Sequence, residues 1–262
     1  MAEGNFYFEQ DGDVFHPTPL TRGPWDPKTM HGRYVSGLLA HAVEVAHGRP
    51  EFQVSRLTID LFRAPLRQPV SVETSLVRDG NRIRVADSSI HFVEDGSLMA
   101  RASIVMLKRA TPPEGDVWSP AIEPMPDPEA LEPQDSAGVM NWKPNWESRR
   151  VVGDIQGLGP KRVWLREMNE LVAGVALTPV VRIALAADLT NPFSNGGTHG
   201  LNYVNADVSV HMVRDPEGEW IGLDTAAHHA AGGIAVGECI LHDIRGPLGR
   251  ASVCGVANTH RA

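Results

Sequence analysis

The sequence predicts an α+β chain made of two similar halves, each a helix followed by antiparallel strands. In the first half an apolar helical pattern gives way to segments whose apolar and polar residues alternate, the period-two pattern of half-buried strands. The second half repeats that order at an offset of 151 residues, Arg63-Ala-Pro65 falling on Arg214-Asp-Pro216 and Glu73-Thr74 on Asp224-Thr225. Leu57, Ile59 and Leu61 fall on Val208, Val210 and Met212, so the phase of burial is kept and a duplicated domain is expected.

Taken in order, residues 1–28 are rich in Gly, Pro and aromatics, and Arg22-Gly-Pro-Trp-Asp-Pro27 reads as irregular lead-in. Met30, Tyr34, Leu38, Ala42 and Ala46 recur every fourth residue and predict a largely buried helix, stopped at His47-Gly48. Alternation then predicts strands around 57–62, 70–76, 83–92 and 98–106, with hairpin turns at Asp79-Gly80 and Asp95-Gly96. A sheet of this kind can wrap the single helix that precedes it. Residues 109–150 change character, because Thr111-Pro-Pro, Glu123-Pro-Met-Pro-Asp-Pro128 and Glu132-Pro-Gln break regular structure. The expected organisation is therefore an N-terminal unit over 1–108, a Pro-rich linker over 109–150 and a C-terminal unit over 151–262. In the latter, a helix from 172 to about 190 should precede strands at 203–214, 220–229, 233–244 and 250–257.

At 262 residues with 42% hydrophobic and 21% charged, the chain has the composition of a soluble globular protein with ample core. It contains no membrane-length apolar run, and its first residues lack the basic and apolar regions of a signal peptide, so a cytoplasmic location is expected. The net charge of -8 and the lack of a long basic stretch argue against nucleic acid as a partner. Cys239 and Cys254 flank an expected turn at Gly246-Pro-Leu-Gly249 and are expected to be two buried free thiols.

The most informative stretch is Thr178 to Pro192. Leu177, Val181, Ala184 and Asp188 share one helical face, so the Asp188 carboxylate should point where core residues point. A buried carboxylate is costly unless paired. Either that face opens onto a site, with desolvation raising the acid's pKa toward a useful general base, or the helix ends early and Asp188 is solvated. Backbone N–H groups around His31, Gly32 and Arg33, at the start of the first helix, would suit a developing negative charge. His228-His229 does not suggest a metal site, since neighbours on a strand point to opposite faces. No metal and no cofactor are expected.

His31-Gly-Arg-Tyr34, Arg63-Ala-Pro65, Trp164-Leu-Arg166 and Ala186-Ala-Asp188, in that order, resemble the acyl-CoA thioesterase II family and its thioesterase-like relatives, over nearly the whole chain. The resemblance implies a tandem double hot-dog, each half an antiparallel sheet wrapped around a central helix, and a fatty acyl-CoA substrate hydrolysed by an Asp-held water. Asp188 matches the family's catalytic Asp. Asn205 falls where the family has a Thr that helps hold the water, and His31, Gly32, Arg33 and Tyr34 would bind substrate. The family's Gln falls at or near Cys254, and Gly32-Arg33 stands where relatives commonly have Gly-Gly. These departures keep open a non-catalytic acyl-CoA or lipid-binding protein. Asp188-Leu-Thr-Asn-Pro192 also resembles the hot-dog enoyl-CoA hydratase motif, one residue too long and with Phe193-Ser194 in place of its His. Acyl chain length and any homo-oligomer are left open by the sequence.

Overall fold

The computed structural model describes residues 5–134, 144–155 and 157–258. The chain's extreme ends and the middle of the expected linker, 135–143, lie outside the described residues. Strands β1 (Phe6–Asp11) and β2 (Val14–Pro17) precede helix α1 (Gly32–His47), followed by β3 (Phe52–Leu61), β4 (Val70–Asp79), β5 (Ile83–Phe92) and β6 (Leu98–Lys108). The second half contributes β7 (Trp146–Val152), β8 (Arg162–Glu167), β9 (Glu170–Val172), α2 (Pro179–Ala187) and α3 (Thr190–Asn195). Two short strands, β10 (Gly196–Gly197) and β11 (Gly200–Leu201), form a separate hairpin. The main strands that close the chain are β12 (Tyr203–Asn205), β13 (Asp207–Met212), β14 (Trp220–Ala231), β15 (Ile234–Asp243) and β16 (Gly246–Ala257).

Among the described residues fourteen strands form one sheet in the order β7-β8-β14-β15-β16-β13-β3-β6-β5-β4-β2-β1-β9, with β12 paired off this path to β16. The order mirrors itself about the β13–β3 junction. There Ser209 lies opposite Thr58, with Asp207 opposite Asp60 and His211 opposite Arg56. Thr58 and Ser209 are themselves related by the sequence offset of 151, so a local two-fold axis passes between them, where their hydroxyls lie 3.3 Å apart. Strand β5 shifted by 151 residues coincides with β15.

The buried side of this sheet packs around the helices. Leu57, Ile59, Ile90 and Ile104 from the first half and Val208, Val210, Leu223 and Val253 from the second share one core with Leu38 and Leu39 of α1 and Ile183 and Leu185 of α2. Where the helices meet, a Cβ on Gly37 would lie 2.9 Å from Leu185, so a glycine permits their close contact.

The structure departs from the sequence expectations in several places. The lead-in holds β1 and β2, with Tyr7, Phe8 and Phe15 in the core. Aromatic strands this short give too few alternations to stand out against neighbouring Gly and Pro. Strand β7 starts at Trp146, inside the stretch assigned to the linker. The described part of that stretch is tied down: the Pro124 and Pro126 carbonyls accept hydrogen bonds from Arg162 and Trp164 on β8, each at 2.9 Å. Of the cysteines, Cys239 is buried but Cys254 is exposed, and the turn joining their strands is Ile244-Arg245, since β16 already begins at Gly246. Among the described residues no helix is long and apolar enough to cross a membrane.

Candidate active site

The site is built where α2 breaks. Thr178 caps α2, its side chain accepting from the Val181 amide at 3.2 Å, and Pro179 occupies the first turn, where its missing N–H costs nothing. Pro192 has no N–H to give the Asp188 carbonyl four residues earlier, and its ring would crowd that oxygen. The helix therefore stops at Ala187 and tightens, Leu189 N–H donating to the Ala186 carbonyl at 3.0 Å and Asn191 N–H to the Asp188 carbonyl at 3.3 Å, before α3 resumes. Asp188 sits at the break. It stays buried, at 4% exposed, so the early end of the helix does not place it in solvent.

Three groups converge on its carboxylate. Asn205 at the end of β12 donates through Nδ2 to Oδ1 at 3.1 Å. His31, the residue before α1, brings Nδ1 to 3.1 Å from Oδ2. The same Nδ1 lies 3.4 Å from the Arg33 amide nitrogen. One nitrogen cannot donate to the carboxylate and accept from an N–H together; the shorter contact, to an ionised acceptor, assigns the proton to Nδ1. Gly32 supplies the third approach: a Cβ there would lie 3.0 Å from Asp188 Oδ1, so a larger residue would make the carboxylate give way.

Burial pushes the Asp188 carboxyl upward, but the hydrogen bonds from His31 and Asn205 and the nearby positive charge of Arg33 outweigh it and hold the acid below its usual range. The expected rise from desolvation is thus reversed, and Asp188 is an anion at neutral pH. An ionised, desolvated carboxylate with spare lone pairs can orient a water molecule and accept its proton as bonds change.

The other expected site residues lie apart from the carboxylate. Arg33 is fully buried; its guanidinium pairs with Glu167, donates to the Leu185 carbonyl at 3.3 Å and lies 4.4 Å from the Trp146 ring centroid. Tyr34 is likewise fully buried, its ring centroid 4.2 Å from that of Tyr7. Both side chains are packed into the interior at the start of α1. On β16 the residue opposite Asn205 is Gly255, which has no side chain. The exposed Cys254 thiol is pushed up to about 11, by burial and by Asp207, so it is no nucleophile at neutral pH.

Next to this region lies a small cavity of about 40 Å³, walled in part by Trp146, Val163, Leu165, Leu189 and Phe193. Leu189 follows Asp188 in sequence, and the Trp146 ring meets the His31 ring edge-on at 6.2 Å between centroids. Behind Asn205, Asn191 and Asn195 of α3 continue the polar contacts, Asn191 donating to Asn205 Oδ1 at 3.2 Å. In the sequence Asn191 stands only within the hydratase-like Asp188–Pro192 stretch, and the i, i+4 spacing of Asn191 and Asn195 is the local signal that pairs them.

Solved structures share this architecture across their length. The TesB protein of Mycobacterium avium subsp. paratuberculosis is 16% identical with a TM-score of 0.67, and 95% of each chain is covered. Acyl-CoA thioesterase II TesB2 of Mycobacterium marinum is 18% identical with a TM-score of 0.64, again with 95% of each chain covered. A protein of unknown function with hot-dog fold from Alicyclobacillus acidocaldarius is 14% identical with a TM-score of 0.71 and the same coverage. At these identities the likeness establishes the fold: the chain is an α+β protein of the hot-dog class. Family assignment comes from sequence profiles, since the acyl-CoA thioesterase N-terminal domain matches residues 21–107 and the C-terminal domain residues 120–252. The chain belongs to the acyl-CoA thioesterase family. No curated protein matches it significantly in sequence.

Proposed function

We propose that this chain hydrolyses an acyl-CoA thioester to the free acid and CoA. It does so as a tandem of two hot-dog units over 1–108 and 151–262, joined through 109–150, with a single site between their central helices. The observation that carries the reading is the Asp188 carboxylate, buried and ionised, held by Asn205 of its own half and by His31 of the other. At the strand offset of 151 Asp188 falls on Gly37, and counted from the helix caps His31 and Thr178 it falls on His41, so neither count puts a second such acid in the first half.

Asp188 holds a water against the thioester carbonyl carbon. As the water oxygen bonds to that carbon, a proton passes to the carboxylate and the carbonyl electrons move onto oxygen, where N–H groups at the start of α1 face the developing charge. Collapse breaks the C–S bond, and the proton leaves with the CoA sulfur. The apolar wall of Trp146, Leu189 and Phe193 is where the acyl chain would lie once these side chains move apart, because the cavity of about 40 Å³ between them is too small for a fatty acyl group.

A thiol-release assay over acyl-CoA esters of graded chain length tests this, and turnover of at least one length class is expected. Tight binding with no CoA released would instead identify a non-catalytic acyl-CoA binder, a reading favoured by the bare Gly255 opposite Asn205. The His31–Asp188 pair also fits water addition to a double bond, so crotonyl-CoA hydration belongs in the same panel.

A further inference from the structure

Four side-chain hydrogen bonds run in series from the candidate site to the protein surface. Asn205 Nδ2 donates to Asp188 Oδ1 at 3.1 Å, Asn191 Nδ2 to Asn205 Oδ1 at 3.2 Å, and Asn195 Nδ2 to Asn191 Oδ1 at 2.9 Å. The last step joins Asn195 Oδ1 to Nδ1 of His228 on β14 at 2.7 Å. Asn191 and Asn195 are buried, whereas His228 is exposed. Gly237 makes the arrangement sterically feasible, because a Cβ there would lie 1.9 Å from Ser194 Oγ and 2.8 Å from Asn195 Oδ1 and push α3 off the sheet.

The direction of every bond in the series is fixed from its inner end. A carboxylate only accepts, so Asn205 must turn its NH2 to Asp188 and its oxygen to Asn191. Asn191 must then present its NH2, an orientation required independently by the Tyr203 carbonyl, which accepts from the same nitrogen at 3.0 Å. Its oxygen faces the Asn195 NH2, and the Asn195 oxygen faces His228. Nδ1 of His228 must therefore carry a proton. A flipped Asn205 would set its oxygen against the carboxylate and its NH2 against that of Asn191, so one amide cannot turn without the others.

We infer that Asn191, Asn195 and His228 are positioning residues that lock the Asn205 amide with its NH2 on Asp188, so that the geometry of the water-holding pair is braced from the surface by an imidazole N–H. The Tyr203 ring, on the strand that carries Asn205, stands 6.1 Å from the His228 ring between centroids and steadies it. This inference rests on the proposed hydrolysis only for its kinetic consequence; the proton on Nδ1 is a property of the resting protein.

The test has two arms. Nitrogen-15 correlation spectra of the imidazole, taken where His228 is neutral, are expected to show the proton on Nδ1 in the wild-type chain and loss of that preference in Asn195→Leu. A wild-type ring protonated on Nε2 alone would overturn the inference, whether or not the chain hydrolyses anything. In the kinetic arm, His228→Leu and the near-isosteric Asn195→Asp are expected to lower kcat by about tenfold with KM little changed, since a misplaced catalytic group costs turnover more than binding. His228→Gln, whose amide can donate to Asn195, is expected to restore most of the loss. His228→Leu sits on the surface and should not compromise folding, so wild-type kcat in that variant and in Asn195→Asp would overturn the positioning role.

Discussion

At the scale of single residues, the site depends on how closely Gly32 lets α1 approach Asp188. Gly32→Ala would place a methyl carbon 3.0 Å from Oδ1 and 3.1 Å from Oδ2, tighter than ordinary contact, so the carboxylate must shift. The expected result is a fall in kcat of about tenfold, with stability changed by no more than about 1 kcal/mol, because alanine is the better helix former. Steady-state kinetics beside a thermal melt would check it, and an unchanged kcat would show that the approach does not matter. Asp188 was legible in the sequence because its spacing placed it on an apolar helical face, and Asn205 through the alignment of its strand. The His31 side chain was not, since its value lies in reaching a carboxylate more than 150 positions away, a contact no local pattern encodes. Asn191, Asn195 and His228 were hidden for the same reason, their partners being set by how α3 lies on β14 and β15.

Among the elements, a side-chain hydrogen bond ties α1 to the cap of α2 at the end remote from Asp188. Glu44 of α1 accepts a short hydrogen bond from Thr178, the residue that caps α2. Burial, opposed by Thr178 and reinforced by Asp215, pushes the Glu44 carboxyl from 4.5 up to about 7. The folded chain thus holds this proton more tightly than the unfolded one, and Glu44 makes stability fall as pH rises from about 4.5 to about 7. Glu44→Gln, a stand-in for the protonated acid, should match the wild type near pH 4.5 and exceed it above pH 7 by on the order of 2 kcal/mol. Denaturant melts of both chains across that window would decide, and parallel stability curves would refute the assignment. The helices and long strands were legible from their periodicities. Less so was the break at Asp188, since it needs the clash between Pro192 and a carbonyl four residues back to be weighed against a helical pattern that runs straight through it.

For the whole molecule, the offset of 151 residues visible in the sequence becomes a two-fold arrangement about Thr58 and Ser209, with both halves feeding one sheet and one core. Strand β9 of the second half adds parallel to β1 of the first, closing the exchange at the far edge. Neither half keeps its core intact without the other, so heating should give one cooperative transition whose calorimetric and van't Hoff enthalpies agree. Two resolved transitions would mean that the halves fold independently. The repeat was legible because the burial phase survived where most residue identities did not. The counterparts of β7 and β8 in the first half, β1 and β2, were not, because those strands carry too little alternation to be matched by pattern.

All three scales meet at one carboxylate, and replacing it is the most direct test. Asp188→Asn keeps the shape of the side chain and removes its charge. With the best acyl-CoA found in the thiol-release assay, kcat should fall by about a thousandfold while KM stays within a few-fold, the cost of losing a positioned base. A folded Asp188→Asn chain that releases CoA at the wild-type rate would contradict an Asp188-held water as the means of hydrolysis.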